Sequence, residues 1–332
     1  PTDAVADHAA RLKRELARRA PLLRARAAAG YVRHCHGDLH LANICLWQGK
    51  PLLFDCLEFD DRLAEIDVLY DLAFLLMDLL QRGLPAFANQ VMNCTASDEQ
   101  AIEGLALLPL FFSLRASVRA KIAATLAASI EAPADNAAKK KEAQDYFAAA
   151  DAYLQPAPPR LNAVGGLSGS GKTSLARRLA PELGAPPGAL HLRSDLLRKA
   201  HFGVDPLTRL PPSAYKPEVS AAVYDDLFRR AAVALRAGRC VIADAVFNHP
   251  ESRERLAALA AEAAVPFQGL WLTAPADLLT ARVEARQGDA SDATAAVVGQ
   301  QLRQDSGDIA WPRLDSSQGP EALLAAALKI LS

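Results

Sequence analysis

The stretch GLSGSGKT, Gly166 to Thr173, constrains this chain more than any other. It satisfies G-x-x-x-x-G-K-[ST] without departure, follows the apolar run LNAV and opens TSLARRLAPEL, so it predicts a strand, a tight glycine turn and a helix in that order. Glycines let the backbone curl until successive N–H groups converge on one phosphate, and the helix N-terminus adds partial positive charge. Gly166, Ser168, Gly169, Ser170, Gly171, Lys172, Thr173 and Ser174 are therefore expected to cradle a nucleotide. Lys172 should reach the β- and γ-phosphates of ATP, and the Thr173 hydroxyl should hold Mg²⁺.

The residues around this loop extend the expectation. ALHL, CVIAD and FQGLWL are strand-like runs separated by helical segments, which predicts an α/β doubly wound parallel sheet. Asp244 closes the buried run CVIAD, where such sheets gather their ligands, and is a candidate to position Mg²⁺ or its water; a turn or helix-start role is the plainer alternative. Asp195 in HLRSDLLRK sits just past another strand and is the candidate acceptor-side base, with Arg193 and Arg198 near enough to hold an anionic group. Simple helix capping by Ser194 or Asp195 is its alternative. In ARVEARQGDASDAT, Arg282 and Arg286 stand at i, i+4 on one predicted helical face, ahead of a polar segment able to close as a lid over transferring phosphate; a solvated pair is the alternative.

The proline-rich QPAPPR forbids helix and marks a linker over residues 155–160. It separates 161–332 from a mostly helical part, 1–154. Within the latter, Ile44–Trp47 and Pro51–Asp55 flank Gln48-Gly49-Lys50 and read as one hairpin. A length of 332 residues suits two cores at about 150 residues each. The formal net charge of −1 lacks the basic excess of a nucleic-acid binder. The longest apolar stretches, around Val68–Leu80 and Leu105–Leu114, are broken by Asp71, Asp78 or Pro109 and are expected to be core helices rather than the ~20 residues of a membrane span. Five dispersed cysteines make no disulfide framework and suit the cytoplasm. His34, Cys35, His36, His40, Cys45 and Cys56 lack paired metal-ligand spacing.

A second chemical signature is HGDLHLANI, His36 to Ile44, with Asp55 closing PLLFD. The start of the first hairpin strand and the end of the second lie at the same end, so Asn43 and Asp55 are expected side by side as oxygen ligands for Mg²⁺. Asp38, on the loop just before, is placed to orient or deprotonate a hydroxyl.

Both signatures carry resemblances. Residues 161–332 resemble small P-loop kinases related to gluconate kinase, zeta toxin and polynucleotide kinase, which implies Asp195 as acceptor-side base and Arg282 and Arg286 as phosphate-binding lid residues. HGDLHLANI, LLFDCLEF and EIDVLYDLAFLL, over about residues 10–150, resemble the aminoglycoside phosphotransferase family. That likeness implies Asp38 as base, Asn43 and Asp55 as Mg²⁺ ligands, Asp67 and Asp71 as structural anchors, and packing hydrogen bonds for His36 and His40. Only the kinase-like C-lobe is represented. A chain opening on Pro1 is expected either to be a fragment that continues upstream into an N-lobe or, if complete, to carry Asp38 as a relic. The order of parts resembles bacterial fusions of an aminoglycoside phosphotransferase-like lobe with a P-loop ATP-binding kinase.

These readings converge on a cytoplasmic, ATP- and Mg²⁺-dependent kinase acting through Lys172, Thr173, Asp244 and Asp195 on a small-molecule hydroxyl acceptor, with no nucleic-acid or membrane partner. Two alternatives stand beside it: a nucleotide-sensing P-loop module without metabolite kinase activity, and an aminoglycoside-type phosphotransferase acting through the first domain of a longer chain.

Overall fold

The computed structural model describes residues 2–155 and 157–331, so Pro156 of the expected linker lies outside the described residues. Two compact units emerge, one from residues up to Thr95 with Gly104–Ala157, the other from Ala96–Glu103 with the chain from Pro158 onward. The short segment Ala96–Glu103 groups with the second unit, although nothing in its composition distinguishes it.

The first unit is mostly helical. Helices Thr2–Ala28, Val68–Gln81, Pro85–Thr95, Leu108–Ser129 and Pro133–Tyr153 supply its bulk. Leu76, Met77, Leu105, Leu107, Leu108 and Leu110 are fully buried at its centre. Pro109 does not interrupt its helix: it sits in the first turn of Leu108–Ser129, where a missing N–H costs nothing. The helical run Glu99–Ser129 is consequently 31 residues, long and apolar enough to cross a bilayer by length and composition, but 67% of its most apolar window is buried inside the protein. It has the packing of a core helix.

Two small antiparallel sheets complete this unit. Strand β1 (Val32–His34) pairs with β4 (Glu65–Asp67), and β2 (Ile44–Trp47) pairs with β3 (Lys50–Leu53). The second pair is the expected hairpin. Trp47 opposes Lys50, so the turn is the two residues Gln48 and Gly49, both with positive φ (51° and 75°), matching the right-handed twist of the strands. The polar stretch 132–141 opens the helix Pro133–Tyr153.

The second unit is a five-stranded parallel sheet in the order β6-β7-β5-β8-β9, with β5 Leu161–Gly166, β6 Leu190–Arg193, β7 Val241–Asp244, β8 Phe267–Thr273 and β9 Arg313–Asp315. Strands β5 and β7 are buried along their whole length, which explains their unbroken apolar character. From β5 the chain runs to one side of the sheet, and from β7 it crosses to the other. The crevice at the carboxyl ends of β5 and β7 is therefore the topological switch point, where ligands of such sheets bind. Val164, Leu175, Leu179, Ile242, Leu270, Leu272, Leu323 and Leu331 form one core, so the helix following β5 is seated on the sheet together with the helix Pro320–Leu331.

Candidate active site

At the end of β5 the backbone turns through three glycines with positive φ: Gly166 (132°), Gly169 (85°) and Gly171 (87°). A side chain at Gly166 would place Cβ 2.5 Å from the Leu272 carbonyl oxygen, and one at Gly169 would overlap the Leu279 carbonyl oxygen. Close approach to neighbouring backbone thus requires glycine at both. Gly171 caps the helix Lys172–Leu179. The loop is closed upon itself: Lys172 Nζ donates to Leu167 O at 3.0 Å, and the Ser168 N–H donates to Gln301 Oε1 at 2.8 Å. Ser170 Oγ is buried without a partner.

The expected strand-end carboxylate sits directly across the crevice. Thr173 Oγ1 donates to Asp244 Oδ2 at 2.7 Å, His191 Nε2 donates to the same oxygen at 3.0 Å, and Arg193 Nε lies 3.9 Å away. Burial pushes the Asp244 carboxyl up, but the bond from His191, the charge of Lys172 and the Thr173 hydroxyl outweigh it and hold the group below the ordinary carboxylate range. Parallel pairing of β6 with β7 sets Arg193 opposite Asp244. His191 and Arg193 therefore share one face. Two polar residues alternating with leucines in an otherwise buried strand were a signal for this face.

Asp195 is the second residue of the helix Ser194–His201, whose cap is Arg193 with no side-chain capping bond, so neither Ser194 nor Asp195 serves as the cap. Its carboxyl is driven up by burial and by the nearby charge of Asp244, with Lys172 and Arg193 pulling against them. Two carboxylates beside one lysine are thus pushed in opposite directions, the arrangement that separates a permanently charged ligand from a proton acceptor. Burial lowers the Lys172 ammonium, and the two aspartates resist that shift.

Arg282 and Arg286 part company. The helix Ala276–Glu284 stops two residues before Arg286, so the two do not share a helical face. Arg282 is turned to Ser316, bonding its Oγ at 3.0 Å and its carbonyl oxygen at 2.8 Å, whereas Arg286 lines the cleft and is an electrostatic neighbour of Lys172. The polar segment after it is anchored at several points that sequence patterning did not foretell. Asp289 meets Arg193 at 3.4 Å, and Asp292 accepts from Lys199 Nζ at 2.5 Å, Tyr215 Oη at 2.5 Å and the Leu210 N–H at 3.0 Å. Burial and the bond to Asp292 raise the Tyr215 phenol above its usual range. The resulting cleft, about 1270 Å³, is lined by Lys172, Thr173, Ser174, Asp195, Asp244 and Arg286 together with Arg198, Tyr215 and Tyr224.

In the first unit, Asn43 closes a short 3₁₀ turn, and its Nδ2 donates to Asp38 O at 3.0 Å and to Asp38 Oδ2 at 3.3 Å. His40 caps the turn by accepting the Ala42 N–H, and its Nε2 lies 3.4 Å from Asp38 Oδ2; His36 Nε2 bonds Phe54 O. Asp71 accepts the N–H groups of His36 and Gly37, both at 3.0 Å, tying its helix to the loop. Asp67 forms a buried bidentate pair with Arg26. Asp55 departs from expectation in local geometry: β3 ends at Leu53, the residue bonded across from Asn43 is Phe54, and Asp55 itself is exposed with φ 59°. The structure brings Asp38 and Asn43 together and leaves Asp55 one residue beyond the pairing.

Comparison with known proteins follows the same division. Residues 2–105 match the phosphotransferase enzyme family, and residues 161–305 match an AAA domain family. Uncharacterized proteins of Mycobacterium tuberculosis and Mycobacterium bovis are 33% identical over 308 residues, an overlap of 88% of this chain and 59% of theirs, so the chain spans about three-fifths of the length of these relatives. Among solved structures, a sugar kinase from Janibacter sp. HTCC2649 is 23% identical over 52% of this chain and 95% of its own, with a TM-score of 0.36. A gluconokinase from Sinorhizobium meliloti 1021 is 20% identical over 53% and 92%, also with a TM-score of 0.36. In order along the chain, a segment similar to the phosphotransferase enzyme family thus precedes a P-loop segment similar to an AAA domain family.

Proposed function

We propose that the second unit is an ATP- and Mg²⁺-dependent kinase that transfers the γ-phosphoryl group to a hydroxyl acceptor. The observation carrying this reading is that the phosphate-loop Thr173 hydroxyl donates to Asp244 Oδ2 at 2.7 Å in a cleft that Lys172, Asp195 and Arg286 also line. The cleft volume of about 1270 Å³ exceeds the ~300–1,000 Å³ of a single-ligand pocket and supports a nucleotide together with an acceptor.

The Thr173 hydroxyl and the Asp244 carboxylate supply adjacent hard oxygen donors, which fit Mg²⁺. The ion would neutralise charge on the phosphate oxygens. The backbone N–H groups of Gly166–Thr173 and the helix beginning at Lys172 receive the phosphates, and the Lys172 ammonium attracts the charge that grows between donor and acceptor. Asp195 accepts the acceptor's hydroxyl proton. Arg286, which lines the cleft, contributes positive charge, and Arg198 favours an acceptor with its own anionic group. Five free cysteines support a cytoplasmic setting.

The test is transfer of labelled phosphate from ATP to a panel of small hydroxyl compounds, sugars and sugar acids included, with Lys172→Ala and Asp195→Asn as controls. Transfer unaffected by Asp195→Asn would remove the base assignment; hydrolysis without transfer to any acceptor would favour a nucleotide-sensing module. A second reading belongs to the first unit, where Asn43 and Asp38 are already hydrogen-bonded and Asp71 fixes the loop. In it, Asp38, with Asn43 and Asp55 as Mg²⁺ ligands, serves an aminoglycoside-type phosphotransferase in a longer chain. Aminoglycoside phosphorylation abolished by Asp38→Ala but not by Lys172→Ala would select it.

A further inference from the structure

His191 has no part in the chemistry proposed above, yet it reaches the carboxylate on which that chemistry depends. It stands on β6, an edge strand of the sheet, between the buried Leu190 and Leu192. Its side chain is 8% exposed, and its Nε2 donates to Asp244 Oδ2 at 3.0 Å. Thr173 Oγ1 donates to the same oxygen at 2.7 Å, and Arg193 Nε, buried without a hydrogen-bond partner, lies 3.9 Å from it. Arg193 is divided between two carboxylates, because its Nη2 also lies 3.4 Å from Asp289 Oδ1. All these donors address Oδ2. Among the described residues none is bonded to Oδ1, the second oxygen of a side chain that lines the cleft.

The carboxylate torsion of an aspartate is soft, and a metal ligand that turns holds its ion poorly, so donors fixed on one oxygen strengthen the site. Thr173 gives its one hydrogen to Asp244 and keeps its lone pairs for an ion. Both ends of that bond therefore belong to the cation site, and neither ties the other to the scaffold. His191 does so: it does not line the cleft, and its strand is paired along its length with β7, which carries Asp244. We propose that His191 is a positioning residue for the divalent cation, its Nε2–H holding Asp244 Oδ2 so that Oδ1 is presented to the ion. This rests on the reading of Thr173 and Asp244 as the Mg²⁺ site. A histidine present for packing alone is replaceable by an apolar side chain of similar size. A positioning histidine is replaceable only by a residue that donates at the same reach.

The experiment titrates Mn²⁺, a paramagnetic substitute for Mg²⁺, into the full chain with ADP, reads free Mn²⁺ by electron paramagnetic resonance, and measures metal-free ADP binding separately by calorimetry. His191→Leu keeps bulk and removes the donor, His191→Gln keeps an N–H at the reach of Nε2, and His191→Asn carries one that falls short. His191→Leu and His191→Asn should each weaken Mn²⁺ binding to the ADP complex by about 10–100-fold, with metal-free ADP binding unchanged, and His191→Gln should recover most of the loss. If His191→Leu does not fold, the contrast between His191→Asn and His191→Gln decides. Wild-type Mn²⁺ affinity in the variants without the donor, or equal losses in all of them, would overturn the inference and leave the cation site standing. Metal-free ADP binding that falls in step with Mn²⁺ would also refute it, since His191 would then support the loop as a whole. Wild-type protein that binds ADP but no Mn²⁺ would remove the cation reading together with the inference, and failure to bind ADP would remove the nucleotide reading as well.

Discussion

Gly169 and Gly171 share almost the same backbone angle, φ 85° and 87°, yet the structure assigns them different costs when replaced by alanine. A Cβ at Gly171 meets nothing within 4 Å, so Gly171→Ala carries only the left-handed strain of a residue with a side chain, about 1–2 kcal/mol. A Cβ at Gly169 would also press on the backbone of Leu279, with its carbonyl carbon at 3.0 Å and Cα at 3.1 Å. Backbone at the start of a packed helix cannot rotate aside, and overpacking adds about 1–3 kcal/mol, for a total of about 2–5 kcal/mol. The restriction that alanine imposes on the unfolded chain is common to both and cancels in the comparison. Urea denaturation of the full chain followed by tryptophan fluorescence isolates the relevant unit. Trp271 is buried, Trp311 packs against Phe247 and Phe267, and both belong to the second unit, while Trp47 is 65% exposed on the first unit's hairpin. Equal losses at the two positions, or a larger loss at Gly171, would refute the argument that Leu279 dictates glycine at 169.

Further outcomes follow from the same geometry. Asp195→Asn should reduce phosphoryl transfer by about 10²–10⁴-fold. Because the folded-state pKa of Asp195 is raised, ionising it costs stability at neutral pH; the asparagine variant should melt higher there, and the gain should vanish below about pH 4, where the carboxyl is protonated in both states. A stability gain that grows on acidification would contradict the assigned direction. Arg286→Ala should lower turnover by about 10²–10³-fold. Arg282→Ala should instead cost about 1 kcal/mol of stability through the lost Ser316 bonds, with little kinetic effect, and the reverse ranking would refute their placement. Asp71→Ala leaves the His36 and Gly37 N–H groups unpaired at a cost of about 2–4 kcal/mol, which should appear as faster hydrogen exchange concentrated between His36 and Asn43.

The phosphate loop and its sheet were legible because glycine spacing and unbroken apolar strands report backbone demands that few other arrangements satisfy. The hairpin was legible for the same reason, through Gly49 and its flanking apolar runs. What escaped had short range or no period. Strands β1, β4 and β9 are three residues each, too brief for alternation to register. Arg286 was placed on a helix that ends at Glu284, since nothing in Ala285-Arg286-Gln287 marks a stop before Gly288. Asp289, Asp292 and Gln301 meet partners 77 to 133 residues away in sequence, and only folding brings such pairs together. Asp55 was displaced by one residue because the pairing register, set by the Gln48-Gly49 turn, puts Phe54 across from Asn43.

The self-closed loop alters what nucleotide affinity measures. Ser168 N–H is engaged by Gln301 and the Lys172 ammonium by Leu167 O, so an arriving phosphate exchanges internal bonds for its own rather than filling vacant donors. Calorimetry would then register a modest net enthalpy, the difference between two sets of similar bonds. Removing the competitor with Gln301→Ala should slow nucleotide dissociation, because the side chain that recaptures the loop as phosphate departs is gone.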